Sequence, residues 1–352
     1  MSEIPETREL PISFRNTEMV SQSNTRAVGL EERGVKDFYV WCYKTKSYDE
    51  GTKKYGDLQT IMDRYKVEWT ENSAGTSASN SADWEYVGIT DHDQRQNIKY
   101  WDTDATSYRF FGLAPADVSI LRSFGPNDRN LSDATEYDFT FAADASKPEE
   151  APYISALWIS NNQPTALAPN IYGSTVVMEF MKPVTKVRIL LVNEKGELIG
   201  DPLSEGITEL NFGPIGGGDI VQKGNLKVSY PLQGATTFTQ YLPTLTLVGD
   251  PAGSITMNRR NAIDDNPEVT DDYADWYYVL PHILQSSYQL TLTVYGSPRI
   301  ATVPSEYMSW NPNMEYTYKF KLTATEVQLI DIVQIGVTAW TVENDNHDIY
   351  NW

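Results

Sequence analysis

Asp91-His92-Asp93 sets an imidazole between two carboxylates, the residue types of proton transfer. Neighbours on a strand point to opposite faces, so these three cannot converge, and a solvated turn is the better reading. Asp264 to Asp275 carries six carboxylates within twelve residues, a composition that attracts calcium. The spacing is not that of a D-x-[DN]-x-[DN]-G loop and the turn-forming Gly is missing, so a solvated acidic loop is preferred, with weak calcium binding left open. Gly213-Pro-Ile-Gly-Gly-Gly-Asp219 offers backbone amides but leads into Ile220-Val-Gln rather than into a helix with a Lys. It reads as a hairpin or bulge, not a phosphate cradle. No HExxH, GxxxxGK[ST] or GxSxG is present. With 48 acidic residues, some carboxylate pair will stand at glycosidase separation by chance, so none is singled out. No enzyme, no cofactor and no metal site is expected.

The composition excludes further classes. The 352 residues carry a formal charge of −20, against the basic stripe a nucleic-acid binder shows and against docking on anionic lipid. Cys42 is the only cysteine, so no intrachain disulfide and no multi-Cys zinc site can form. The opening residues Met1 to Arg8 are polar, without the apolar core of a signal peptide, and no window has the apolar length of a membrane helix.

The elements around these residues alternate with period two. Phe38, Val40 and Cys42 share one face of a strand whose other face carries Tyr39, Trp41 and Tyr43. Similar runs recur at Tyr65–Trp69, Tyr108–Phe111, Tyr137–Phe141, Thr175–Phe180, Lys186–Val192, Tyr288–Tyr295 and Tyr316–Leu322, most of them separated by turn residues. The fold class expected is all-β, built from β-sandwiches. Pro-rich stretches at 147–152 and 161–169 place a division near residue 170. An N-terminal sandwich, 1–169, and a C-terminal one, 170–352, follow.

The two ends are the most informative. Leu10, Ile12 and Phe14 alternate on a first strand, where Pro11 requires an edge or a strand start. A polar stretch then leads to Thr25-Arg26-Ala27-Val28-Gly29, an obvious site for a trypsin-like protease, or simply a loop. Near the other end Val327, Leu329, Val333, Ile335, Val337 and Ala339 share one alternation, interrupted by Asp331, with Trp340 after it. So apolar a strand must fill a sheet, its own or a neighbour's.

With these residues in view the chain resembles the fimbrillins, the Mfa-like subunits of type V pili. Ile12-Ser-Phe14 followed by Asn24-Thr-Arg-Ala-Val-Gly29 resembles the family's first strand and Arg|Ala maturation site. Val35 to Tyr43 is similar to its next strand, and Tyr100-Trp-Asp with Tyr108-Arg-Phe-Phe-Gly-Leu-Ala-Pro115 to its "yW…y.FfA.aP" pattern. Trp276-Tyr-Tyr-Val-Leu-Pro281 resembles the "y..lPQ" strand, with His282 where Gln is common. Trp310 to Leu322 and Val337-Thr-Ala-Trp340 resemble the "W.pn..Y.Y.i.l" and closing "V..W" elements.

The resemblance implies two transthyretin-like β-sandwich domains and export to the outer membrane and fimbrium as a lipoprotein, with a lipobox Cys ahead of Met1. It implies cleavage between Arg26 and Ala27, removal of strand 1–26, and an opened groove where Leu10, Ile12 and Phe14 had been. A C-terminal strand of another subunit, with Ile335, Val337 and Ala339 inward and Trp340 at the rim, would fill it. Partners are then other pilus subunits, in a homo- or hetero-polymer, and an adhesion ligand on a host or bacterial surface, with no nucleic acid. The alternative function is a surface glycan-binding β-sandwich protein. The polar tail from Glu343 to Asn351 departs from a purely apolar donor strand, so stalk, anchor and tip roles stay open.

Overall fold

The structure, a computed structural model, describes residues 10–18, 29–49, 51, 54–55, 59–70, 83–87, 96–116, 139–148, 150–160, 173–200, 202–229, 244–258, 277–283 and 286–336. Among these the chain is nearly all strand, with two short 3-10 turns and no α-helix. It begins with β1 (Phe14–Glu18), the turn Leu30–Arg33 and β2 (Asp37–Thr45). A small hairpin, β3 (Tyr48–Asp49) and β4 (Lys54–Tyr55), precedes β5 (Gln59–Trp69), β6 (Trp84–Glu85) and β7 (Ser107–Ala114). Then come β8 (Phe139–Asp144), β9 (Tyr153–Ser160), β10 (Val176–Phe180), β11 (Thr185–Val192) and β12 (Ile207–Pro214). β13 (Ile220–Ser229), β14 (Thr244–Ile255), β15 (Met257–Asn258), β16 (Tyr277–Val279) and β17 (His282–Ile283) follow. The last five are β18 (Tyr288–Val294), β19 (Ser297–Val303), β20 (Ser309–Trp310), β21 (Met314–Leu322) and β22 (Val327–Gly336).

The first half is built on a five-stranded antiparallel sheet, ordered β6-β5-β2-β7-β9. Both faces of its central strands are apolar, as the alternation in β2 requires, so each face must be covered. Phe38, Val40 and Cys42 turn to a core that also holds Phe110, Ile12, Phe14, Val176, Met178 and Phe180. Trp41, Tyr43 and Phe111 turn to a second core with Phe141, Leu226 and Val228. The covers are the parallel pair β1–β10 on one side and the sheet β14-β13-β8 on the other. Gly112 in β7 lets the first cover come close, since a Cβ there would stand 2.8 Å from Met178 Cε and 2.9 Å from Phe180 Cζ.

Residues 161–172, where the division near residue 170 was expected, lie outside the described residues. Strands from beyond them, β10 and β13–β14, supply cover to both faces of the first sheet. Eight further strands form a second sandwich, β16-β11-β21-β22 against β15-β12-β18-β19, around one apolar core. β18 alternates there as its sequence does, with Tyr288, Leu290, Leu292 and Val294 inward. The eight-residue separation of Trp310 and Tyr318 has a physical reason: Trp310 Nε1 donates to Tyr318 Oη at 2.8 Å, and that hydroxyl donates to the Tyr307 carbonyl at 2.8 Å.

Candidate functional site

The site that the sequence singled out is the seat of the first strand. Its apolar side is an aromatic box. Phe14 meets Tyr86, Phe110 and Phe38 edge to face at centroid distances of 5.8, 6.0 and 6.1 Å. Ile12 and Phe14 are fully buried, and Leu10 packs half-buried against the same core. Leu10 lies over Gly173, which has φ +81 and where a Cβ would stand 2.3 Å from Leu10 Cδ1, so glycine serves both the turn and the contact.

The backbone of this segment is held on two sides. The Ile12 amide donates to the Lys99 carbonyl at 2.7 Å and the Trp101 amide to the Leu10 carbonyl at 2.9 Å. On the other side the Val176 amide donates to the Ser13 carbonyl at 2.8 Å, and β1 then runs parallel to β10 from Phe14 opposite Val176 to Glu18 opposite Phe180. Tyr86 Oη adds a bond to the Ile12 carbonyl at 2.9 Å. Pro11 stands in an isolated bridge to Tyr100, ahead of β1, where its lack of an N–H takes no bond from the β1–β10 ladder.

Asn16 closes the seat. Its Oδ1 accepts the buried Leu30 amide at 3.0 Å, so the chain leaves β1 and returns to nearly the same point. Arg26 and Ala27 belong to the segment between these anchors and lie outside the described residues. Sequence reasoning missed both Asn16 and the wall supplied by β10. A lone Asn has no local signature, and β10 is more than 150 residues from β1 along the chain.

At the other end, β22 is an edge strand of the second sandwich, antiparallel to β21 of its own chain. Ile335 stands opposite Glu315 in that register. Val337, Ala339 and Trp340 lie outside the described residues. The single alternation expected from Val327 onward is broken by a bulge at Ile330, between the pairs Phe320–Leu329 and Lys319–Asp331. Leu329 and Ile332 therefore both pack on the core, while Ile330 and Asp331 are exposed.

The other sequence candidates are quickly placed. His92, with Asp91 and Asp93, and the acidic stretch 264–275 lie outside the described residues. The glycine-rich stretch is a β12–β13 connection, with Gly216, Gly217 and Gly218 all at positive φ. Cys42 is fully buried, and burial pushes its thiol pKa up. Among the described residues no three His, Cys, Asp or Glu side chains are grouped so as to hold a metal ion. No helix among them is long and apolar enough to cross a membrane.

No family model and no curated protein matches this chain. Solved structures do. A fimbrial protein from Bacteroides vulgatus is 14% identical with a TM-score of 0.43, over 94% of this chain and 100% of that one. The fimbrial anchor protein Mfa2 from Porphyromonas gingivalis is 9% identical with a TM-score of 0.36, over 93% and 98%. The tip fimbrial protein Mfa3 from the same organism is 11% identical with a TM-score of 0.33, over 86% and 94%. The solved structures to which this all-β chain is similar along most of its length thus include fimbrial proteins of Bacteroides and Porphyromonas.

Proposed function

We propose that this chain is a subunit of a cell-surface fimbrium, without enzymatic activity, that gives up its first strand and takes a strand from another subunit in its place. The observation that carries the reading is the seat of Leu10–Phe14. An apolar strand fills a slot between two walls of the chain, and its only covalent tie to the rest is the connector between Asn16 and Leu30. Cutting Arg26–Ala27 converts such a strand from a covalent part of the core into a bound peptide. A strand of the same alternation can then replace it by β-augmentation. The contact is head-to-tail, so it propagates instead of closing. The fimbrillin-like motifs of the sequence agree with export as a lipoprotein and residence in the outer membrane or fimbrium.

In this reading the donor residues are Val337, Ala339 and Trp340. Donation by these leaves β22 in its own sheet, whereas Ile335 would have to give up its place opposite Glu315. The test uses the full chain treated with an Arg-specific protease, with filaments scored by electron microscopy. Parent protein is expected to yield a product beginning at Ala27 and then filaments. Arg26→Ala is expected to resist that cut and stay monomeric. Val337→Asp is expected to be cut and to melt like the parent but to form no filaments, because an inward charge would be desolvated without a partner. Filaments from the trimmed Val337→Asp protein would overturn the donor assignment.

A further inference from the structure

Tyr295 is the most exposed large hydrophobic residue among those described, at 77%, and it sits where a tyrosine is not expected. It is the first of the two residues joining β18 to β19, between the paired Val294 and Ser297. Tyr295 has φ +46 and Gly296 φ +76, the two positive values of a type I′ hairpin. Asn-Gly is the pair that suits this turn, and a bulky side chain in the left-handed region is strained. Strain kept at an exposed position is a pointer to function.

The ring is also held in place. The Tyr295 amide donates to the Gly206 carbonyl at 2.8 Å, and the Gly206 amide to the Leu203 carbonyl at 2.9 Å. The ring rests on Gly206, where a Cβ would stand 2.4 Å from Tyr295 Cε1. Gly206 is thus required both for its φ of +72 and for the room it leaves the ring. Leu203, 54% exposed, starts the same turn. Two carboxylates belong to the same turn and strand. Glu205 is exposed beside Gly206, and Glu209 Oε2 takes the Thr293 hydroxyl at 2.8 Å.

We infer that Tyr295, propped on Gly206, is a stacking platform for a neutral pyranose ring. The electron-rich ring face attracts the slightly positive C–H groups of a sugar's apolar face. The carboxylates of Glu205 and Glu209 accept from sugar hydroxyls and repel acidic sugars. A rigid, pre-placed ring loses little freedom on binding. This site lies on the second sandwich and is independent of strand exchange, so the two readings stand or fall separately.

The test is saturation-transfer NMR on the full, uncut chain with three probes: methyl β-D-galactopyranoside, methyl β-D-glucopyranoside and methyl β-D-glucuronide. The neutral glycosides are expected to receive saturation, strongest at ring C–H protons, and the glucuronide to receive none. Tyr295→Asn is expected to abolish the signal while melting at or above the parent temperature, since Asn-Gly relieves the turn. Tyr295→Trp is expected to retain it. Equal saturation in Tyr295→Asn, no saturation of either neutral glycoside in the parent, or equal saturation of the glucuronide would overturn the proposal. So would a lowered melting temperature of Tyr295→Asn, which would make the ring a structural cover for Gly206. A Tyr295-dependent dimer in light scattering without sugar would assign the platform to self-association instead.

Discussion

Phe14 concentrates much of what holds the first strand. Three rings meet it edge to face and none of its surface is exposed. Phe14→Ala leaves a cavity that this box cannot easily collapse into, and is expected to cost about 3–5 kcal/mol in denaturant unfolding. Asn16→Ala is expected to cost about 1–3 kcal/mol, because it strands the buried Leu30 amide that Asn16 Oδ1 accepts. His282 acts through pH. Burial lowers its pKa from 6.5 to about 4, against a smaller raising effect of its hydrogen bond to the Leu280 carbonyl. Its ring lies against Trp310 at 4.4 Å, and its Nε2 is buried without a partner. The unfolded chain therefore takes up the proton first. Stability falls as pH drops from 6.5 toward 4 and then levels, by roughly 3 kcal/mol in all. Thermal melts of parent and His282→Gln across that range check this: the difference between them should grow through the window and flatten below it.

At the scale of elements, β1 is laced unevenly. Leu10 to Ser13 bonds to the 99–101 segment and to Val176, whereas Phe14–Glu18 is paired in a sheet with β10 alone. A cut in the connector breaks none of these bonds. Residues 1–26 are therefore expected to co-elute with the remainder of the freshly cut chain on size exclusion, and to separate in denaturant or when a donor strand takes their place. A chain lacking residues 1–26 from the outset should melt well below the nicked one, since Ile12 and Phe14 alone contribute about 1.5–3 kcal/mol each by burial. Elution of the peptide away from the freshly cut protein would show that the seat does not retain the strand. The edges of the sheets are guarded in recognisable ways. Gln96 occupies the edge of β5 by bonding both the amide and the carbonyl of Lys66, at 2.8 and 3.0 Å. Asp250 and Pro251 interrupt the pairing of β14.

At the scale of the molecule, the first five-stranded sheet depends on chain that comes much later. Val176, Met178 and Phe180 cover one of its faces, and Leu226 and Val228 the other. A fragment of residues 1–169 keeps β1 and β8 but loses β10 from one cover and β13–β14 from the other. It is expected to show strand content by circular dichroism but no cooperative thermal transition. A sharp melt of that fragment would mean that the chain divides near residue 170 into independently folding units. The full chain should melt cooperatively through the first sheet and both of its covers.

The sequence by itself determined the class of fold. Alternation is a local property, and Phe38-Tyr-Val-Trp-Cys-Tyr43 displays in six residues a strand apolar on both faces. It also marked Ile12 and Phe14 as inward residues, because a strand with such a face must bury it. Which strand lies beside which was decided only by the tertiary structure. Nothing local in Val176–Phe180 says that it runs parallel to β1, nor in Lys186–Val192 that it pairs with Lys321 and its neighbours far along the chain. Pairing across such distances is chosen by the sum of many weak contacts, not by any one residue. The bulge at Ile330 shows the same limit in miniature. The sequence of β22 reads as one alternation interrupted by Asp331, and only its fit to Lys319 and Phe320 of β21 moves Ile332 inward and leaves Asp331 in water. A charge inside that core would have cost more than the ladder bonds the bulge disturbs.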